Sequence, residues 1–237
     1  MRNGKKVKKL GSLLGDAEDV RRRKGLATNA LINMLQTYLR PHKISETKRI
    51  RLYNALVLPI LTYNSSTWAL TSTEEKSLDA FHRKQLRQVL GIKYPDIITN
   101  HDLYERTNSI PLSQTIARLR FNLFGHVLRR DPNIPANLAL EGFMKEGNRH
   151  RGRTKINIQS VLSQDIRKLE IGPTPIYPTP PATQDHSYCL SAPEIINGPL
   201  SLDLADDLNN IRSIAQDRTT WRCLGEKLRA RGKPSGC

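Results

Sequence analysis

Arg118-Leu119-Arg120-Phe121-Asn122-Leu123-Phe124-Gly125-His126-Val127-Leu128-Arg129-Arg130 is the stretch from which the fold of this chain is read. It forms the second half of a predicted amphipathic helix that starts at Pro111, a residue suited to a first helical turn. Ile116, Leu119, Leu123, Phe124, Val127 and Leu128 recur at three- and four-residue spacing, which places them on one buried face. Arg118 and Arg120 lie off that face, and Arg129 and Arg130 crowd the C-terminal end, where a helix dipole favours cations. His126 falls on the apolar side and is read as a packed, hydrogen-bonded histidine, with Gly125 permitting a close helix contact.

Outward from this helix the pattern stays helical. Towards the N-terminus, residues 7–14 read as a short strand or hairpin edge, with Gly11 and Gly15 as turn residues. Asp16 to about Arg40 is a helix with acids in its first turn, an apolar face of Leu26, Ala30, Leu31, Met34, Leu35 and Leu39, and Pro41 as its stop. Ser45 caps a second helix, kinked at Pro59, whose ring leaves the carbonyl of Ala55 without a helical donor. Thr71-x-x-Glu74 is a capping box opening a third helix that Gly91 ends. Thr99-x-x-Asp102 caps a short helix to Thr107. Beyond Asp131-Pro132, helices are expected near Pro135–Leu140 and from Ile156 to Leu169.

Seven of the fourteen prolines (Pro173, Pro175, Pro178, Pro180, Pro181, Pro193 and Pro199) sit in residues 171–200, which read as an extended linker. A helical pattern returns from Ser201 to Arg231, around Leu204, Leu208, Ile211, Ile214, Trp221 and Leu224. The fold class is therefore mainly α: an irregular helical bundle with a Pro-rich linker and a C-terminal helix. The organisation expected is a basic arm over 1–15, a helical region over 16–170, the linker, and a tail over 201–237.

With 38 Lys+Arg against 22 Asp+Glu, the net charge is +16 over 237 residues. An excess of that size points to RNA or DNA as partner. The charge is uneven. Nine basic residues face three acids in residues 1–24, and Lys145, Arg149, Arg151, Arg153 and Lys155 face only Glu146. Lys76, Arg83 and Arg87 stack at spacings of seven and four into a stripe on the outer side of the third helix. Arg151-Gly152-Arg153 is a small fork suited to a minor groove or a phosphate backbone. The candidate nucleic-acid contacts are thus Lys76, Arg83, Arg87, Arg118, Arg120, Arg129, Arg130, Arg149, Arg151, Arg153 and Lys155.

Bond-making chemistry finds no support. No phosphate-cradling glycine loop is present, and the six histidines show no metal spacing. Cys189, Cys223 and Cys237 form no C-x-x-C pair and give no sign of a disulfide framework, so a reducing compartment is expected, nucleus or cytoplasm. No secretory signal is read at the N-terminus. The uncharged stretch from Leu52 to Thr73 holds Asn54, Pro59, Asn64, Ser65 and Ser66, which speaks against a membrane span.

Several stretches in order resemble one family, the reverse transcriptases of non-LTR (LINE-type) retrotransposons, in the region after the palm. Lys9-Leu10-Gly11-Ser12-Leu13 is similar to the Tyr-Leu-Gly segment that closes the palm, with Lys9 in place of the tyrosine. Arg51 through Asn64, followed by Trp68, resembles its Pro-x-x-x-Tyr-(Gly/Asn)…Trp helix. Phe81 to Leu90-Gly91-Ile92 resembles its basic helix, with Thr99-Asn100, Leu103 and Arg106-Thr107 after it. Arg118–Arg130 resembles the arginine-rich helix ending in Phe-Gly-His-Val-Leu-Arg. Ala215-Gln216-Asp217-Arg218 with Trp221-Arg222 resembles the terminal Ala-x-Asp-Arg-x-x-Trp-Arg. The family's Pro and Trp around Arg151-Gly152-Arg153 are absent, and residues 171–200 look like an insertion.

The resemblance implies a thumb-like helical region that grips template–primer, element RNA or target DNA. The parent activity is RNA-directed DNA synthesis; the palm and the endonuclease have no counterpart here, so this chain is expected to be inactive as a polymerase. No cofactor is expected, magnesium belonging to the palm, and the palm and fingers are an expected partner. Leu204-Ala205-Asp206-Asp207 resembles the palm's aspartate pair, but it opens a helix and is read as first-turn acids. The alternatives are a stand-alone RNA- or DNA-binding protein domesticated from such an element, or a non-functional translated relic.

Overall fold

The computed structural model of the chain describes residues 8–9, 11–13, 15–37, 44–145, 156, 158–170 and 205–230. It is mainly α-helical and forms two compact units, Met1–Ser113 and Gln114–Cys237. Among the described residues the only strand pairing joins β1 (Lys8–Lys9) to β2 (Ser12–Leu13), antiparallel, with Lys8 opposite Leu13. Gly11 makes the turn at φ +81, a conformation that a side chain would strain.

In the first unit, α1 (Asp16–Thr37) packs against α3 (Leu58–Thr62) and α4 (Ser72–Leu90), and α2 (Glu46–Leu56) packs against the same two. The buried side of α1 is Val20, Ala27, Leu31 and Met34 together with Asp19 and Arg23, while the expected Leu26 is 39% exposed. The face is rotated because Asp19 and Arg23 have partners inside. Asp19 accepts the Trp68 indole N–H at 3.2 Å and the Leu13 amide at 3.0 Å. Arg23 donates to the Gly11 carbonyl at 2.7 Å and lies over the Tyr63 ring at 4.2 Å. A polarity pattern alone cannot foresee charges buried by mutual pairing.

Pro59 breaks the second helix outright. It lies in the first turn of α3 and Val57 separates α3 from α2, where a kinked continuous helix was expected. Ser45 stands at the N-cap of α2 but its side chain makes no capping bond. Thr71 closes the full capping box on α4, its side chain accepting the Glu74 amide at 3.2 Å while Glu74 accepts the Thr71 amide at 2.8 Å. Gly91 ends α4 in the left-handed region, and Thr99 caps α5 (Asn100–Thr107).

In the second unit, α6 (Leu112–Leu128, of which Gln114 onward belongs here) supplies Phe121, Phe124 and Leu128 to the core. The other contributions are Leu162 and Ile166 from α8 (Ile158–Glu170), Leu208, Ile211 and Ala215 from α9 (Ala205–Gln216), and Trp221 and Leu224 from α10 (Arg218–Ala230). α7 (Pro135–Lys145) packs on α9, and α10 packs on α8 and α9. The C-terminal pattern, expected as one helix, is two helices broken at Asp217. Asp217 receives the Thr219 amide at 2.9 Å and the Thr220 hydroxyl, an N-cap that starts α10. Residues 171–200 lie outside the described residues.

Candidate nucleic-acid interface

The helix that organised the sequence reading is turned from its expected orientation. Gly125 is buried, and a Cβ built on it would run into the Trp221 indole nitrogen. Trp221 stacks on Phe121 with centroids 4.1 Å apart and planes 3° from parallel, and its N–H donates to the Phe121 carbonyl at 3.1 Å. The close approach expected at Gly125 is therefore present. His126 points to solvent and Leu123 is 38% exposed, both corrections to the sequence reading. The stripe shifts because Phe121 and Gly125 form the contact line with α10.

Arg120 is the largest correction. It was placed off the buried face, yet it is 1% exposed and donates through Nη1 to Asp165, itself 0% exposed, at 2.9 Å. A guanidinium enclosed in that way presents no donor to a phosphate; it ties α6 to α8. Arg118 is part-buried and paired with Glu226 at 2.7 Å. Arg129 donates to the Ala215 carbonyl at 3.0 Å, and Arg130 is exposed.

On α4 the stripe is uneven. Lys76 is exposed, whereas Arg83 reaches the Tyr104 hydroxyl at 3.5 Å and Arg87 donates to Asn100 at 2.9 Å and to the Ile98 carbonyl at 3.3 Å. Arg83 and Arg87 therefore fasten α4 to α5 and the loop before it, keeping their remaining N–H groups for other acceptors. Arg149, Arg151, Arg153 and Lys155 lie outside the described residues. Exposed cations that the sequence reading did not count among the candidate contacts include Lys48, Arg51 and Lys84 in the first unit, and Arg218 and Arg222 in the second. Their signal was present in the sequence, since each falls away from an apolar helix face.

No protein-family profile, curated protein or solved structure matches this chain. The reading rests on its own residues.

Two further groups bear on chemistry. His101, Asp102 and Glu105 lie together on α5, with the His101 Nδ1 3.6 Å from Asp102 and 4.0 Å from Glu105. All three are exposed, which is how a solvated polar surface cluster looks. His82 is the opposite case. It is buried between Tyr53 (centroids 6.0 Å apart) and Tyr104 (6.3 Å), and its ring nitrogens have no hydrogen-bond partner among the described residues. Burial, aided by the Arg83 charge, pushes it down to about 4. That makes it a neutral core group at physiological pH.

Asp206 and Asp207 sit in the first turn of α9, not at a turn between strands. Cys223 is buried and disulfide-bonded, a crosslink that the spacing of the cysteines does not signal. No helix among the described residues is long and apolar enough to cross a membrane.

Proposed function

We propose that this chain is a nucleic-acid-binding helical module, similar to the thumb and post-thumb region of a LINE-type reverse transcriptase, that grips a phosphate backbone without synthesising DNA. The observation that carries the proposal is the excess of 16 positive charges, with exposed cations in both units. Cations on a helical surface neutralise phosphates and bring strong salt dependence but little base reading.

The resemblance is supported by how its pieces pack within each unit. Gly11, Tyr63 and Trp68 all contact the Asp19–Arg23 pair in the first. Phe121, Phe124, Ala215 and Trp221 share one core in the second. Residues quoted from distant parts of the chain thus act as structural partners.

The test is binding of labelled single-stranded and duplex DNA and RNA by the purified chain across a salt titration. The expected result is saturable binding whose log affinity falls linearly with log salt, with a slope of about −0.7 to −0.9 per phosphate neutralised. Absence of binding at low salt overturns the proposal. A primer-extension assay with magnesium is expected to give no product, and synthesis by this chain would refute the non-catalytic half of the reading.

A further inference from the structure

The α6 and α10 helices cross antiparallel, and three contacts fix their register. Arg118 on α6 pairs with Glu226 on α10 at 2.7 Å. In the middle, Gly125 lies under Trp221, and the Gly225 Cβ position is 3.4 Å from the Asn122 Oδ1. At the far end Arg129 binds the Ala215 carbonyl, and burial, followed by the Arg218 charge beside it, lowers its pKa.

This register sets one flank of the helix pair. On α6 the positions 118, 122, 126 and 129 follow at spacings of four, four and three; on α10 the positions 218, 222 and 226 follow at fours. Both rows lie on the flank where Arg118 meets Glu226 and Arg129 meets the Arg218 charge, and together they border one seam. At one end it is closed by the Arg118–Glu226 pair. The rest is lined by Asn122, His126, Arg218 and Arg222, all exposed, and by part-buried Arg129. Asp217, the acid nearest Arg218 in sequence, is engaged by the Thr219 amide and the Thr220 hydroxyl. Two arginines brought together, with a third one turn along α10, repel one another unless an anion lies between them.

We infer that this α6–α10 seam, lined by Asn122, His126, Arg129, Arg218 and Arg222, binds the phosphodiester backbone of the nucleic acid. The inference rests on the nucleic-acid reading above and names the surface that performs it. From Asn122 to Arg129 the open seam runs for about 10 Å at 1.5 Å per residue. That length spans on the order of three phosphates of one duplex strand, counted along the duplex axis. Arginine offers a forked donor set that matches phosphate oxygens, and asparagine and histidine add further donors, so recognition is of backbone and not of sequence.

The experiment compares Arg218→Ala/Arg222→Ala with Lys48→Ala/Arg51→Ala, which removes the same charge from exposed positions of the first unit. Affinity for a labelled oligonucleotide is measured by anisotropy across salt, with thermal unfolding of each variant confirming the fold. The seam variant is expected to weaken binding at least tenfold and to make the salt slope shallower by about 2, with the control changing less than threefold. Equal losses in both variants overturn the seam and leave only diffuse charge. Wild-type binding that the seam variant retains in full also overturns it, while the broader reading stands. No wild-type binding at all defeats both. Should the seam variant fail to fold, Arg218→Gln/Arg222→Gln replaces it under the same criteria.

Discussion

Gly125 has no side chain, and that lets Trp221 lie flat on Phe121 at 4.1 Å. Gly125→Ala adds a methyl group where the indole already stands. The change gains about 1 kcal/mol of helix propensity but overpacks a stacked ring, and a net destabilisation of about 1–3 kcal/mol is expected. Urea unfolding checks it: a midpoint at or above wild type contradicts the close packing. The Arg120–Asp165 pair makes a second residue-scale case. Asp165→Ala strands a buried guanidinium and is expected to destabilise the chain by about 3–5 kcal/mol, whereas Arg120→Met with Asp165→Leu is near neutral. A mild effect of the single change would show that water reaches Arg120. His82 supplies a pH signature. Its folded pKa of about 4 lies below the ordinary 6.5, so its contribution is intact above pH 6.5 and is lost as pH falls towards 4. The loss amounts to roughly 3 kcal/mol. Asp79 acts with the opposite sign, because burial raises its carboxyl despite two bonds from Ser113. The measurement is therefore the difference between wild type and His82→Leu across pH 4 to 7, and a flat difference removes His82 as the cause.

At the scale of elements, helix ends were read more successfully than helix faces. The Thr71 box, the Gly91 stop and the Thr99 cap all occur where local spacing put them, because a cap is satisfied within four residues. Thr71→Ala removes an acceptor for the Glu74 amide and is expected to lower stability by about 1 kcal/mol, read as a fall in the thermal midpoint; an unchanged midpoint would mean that solvent replaces the bond. Faces depend on distant partners. Position 126 is apolar by periodicity but faces solvent, and position 23 is charged but buried, since Gly11, Ser12 and Asp19 receive its guanidinium. The break at Val57 follows from Pro59 lying in a first helical turn, where its missing N–H matters least.

At the scale of the whole molecule, charge governs the expected behaviour. A chain carrying +16 binds polyanions strongly at low salt, so the informative quantity is the salt slope and not one affinity. Arg149→Ala/Arg151→Ala/Arg153→Ala is expected to weaken binding uniformly across sequences and to make the slope shallower; unchanged affinity removes that loop from the interface. The candidate contacts were legible as a class but not one by one. Arg118, Arg120 and Arg129 have the spacing of a solvated row, yet Glu226, Asp165 and the Ala215 carbonyl engage them from distant parts of the chain. Arg218 and Arg222 are the converse, cations that stay exposed because Trp221 between them turns inward.

By itself the sequence determined the helical class, the caps and stops of α4 and α5, the hairpin turn at Gly11 and the basic balance of the surface. These depend on backbone geometry and on charges that can be counted. Only the tertiary structure decided which arginines are structural, that His126 faces out while His82 is enclosed, and that Gly125 meets Trp221. These depend on groups brought from 12 to 108 positions away, and periodicity along one helix carries no information about what lies opposite it.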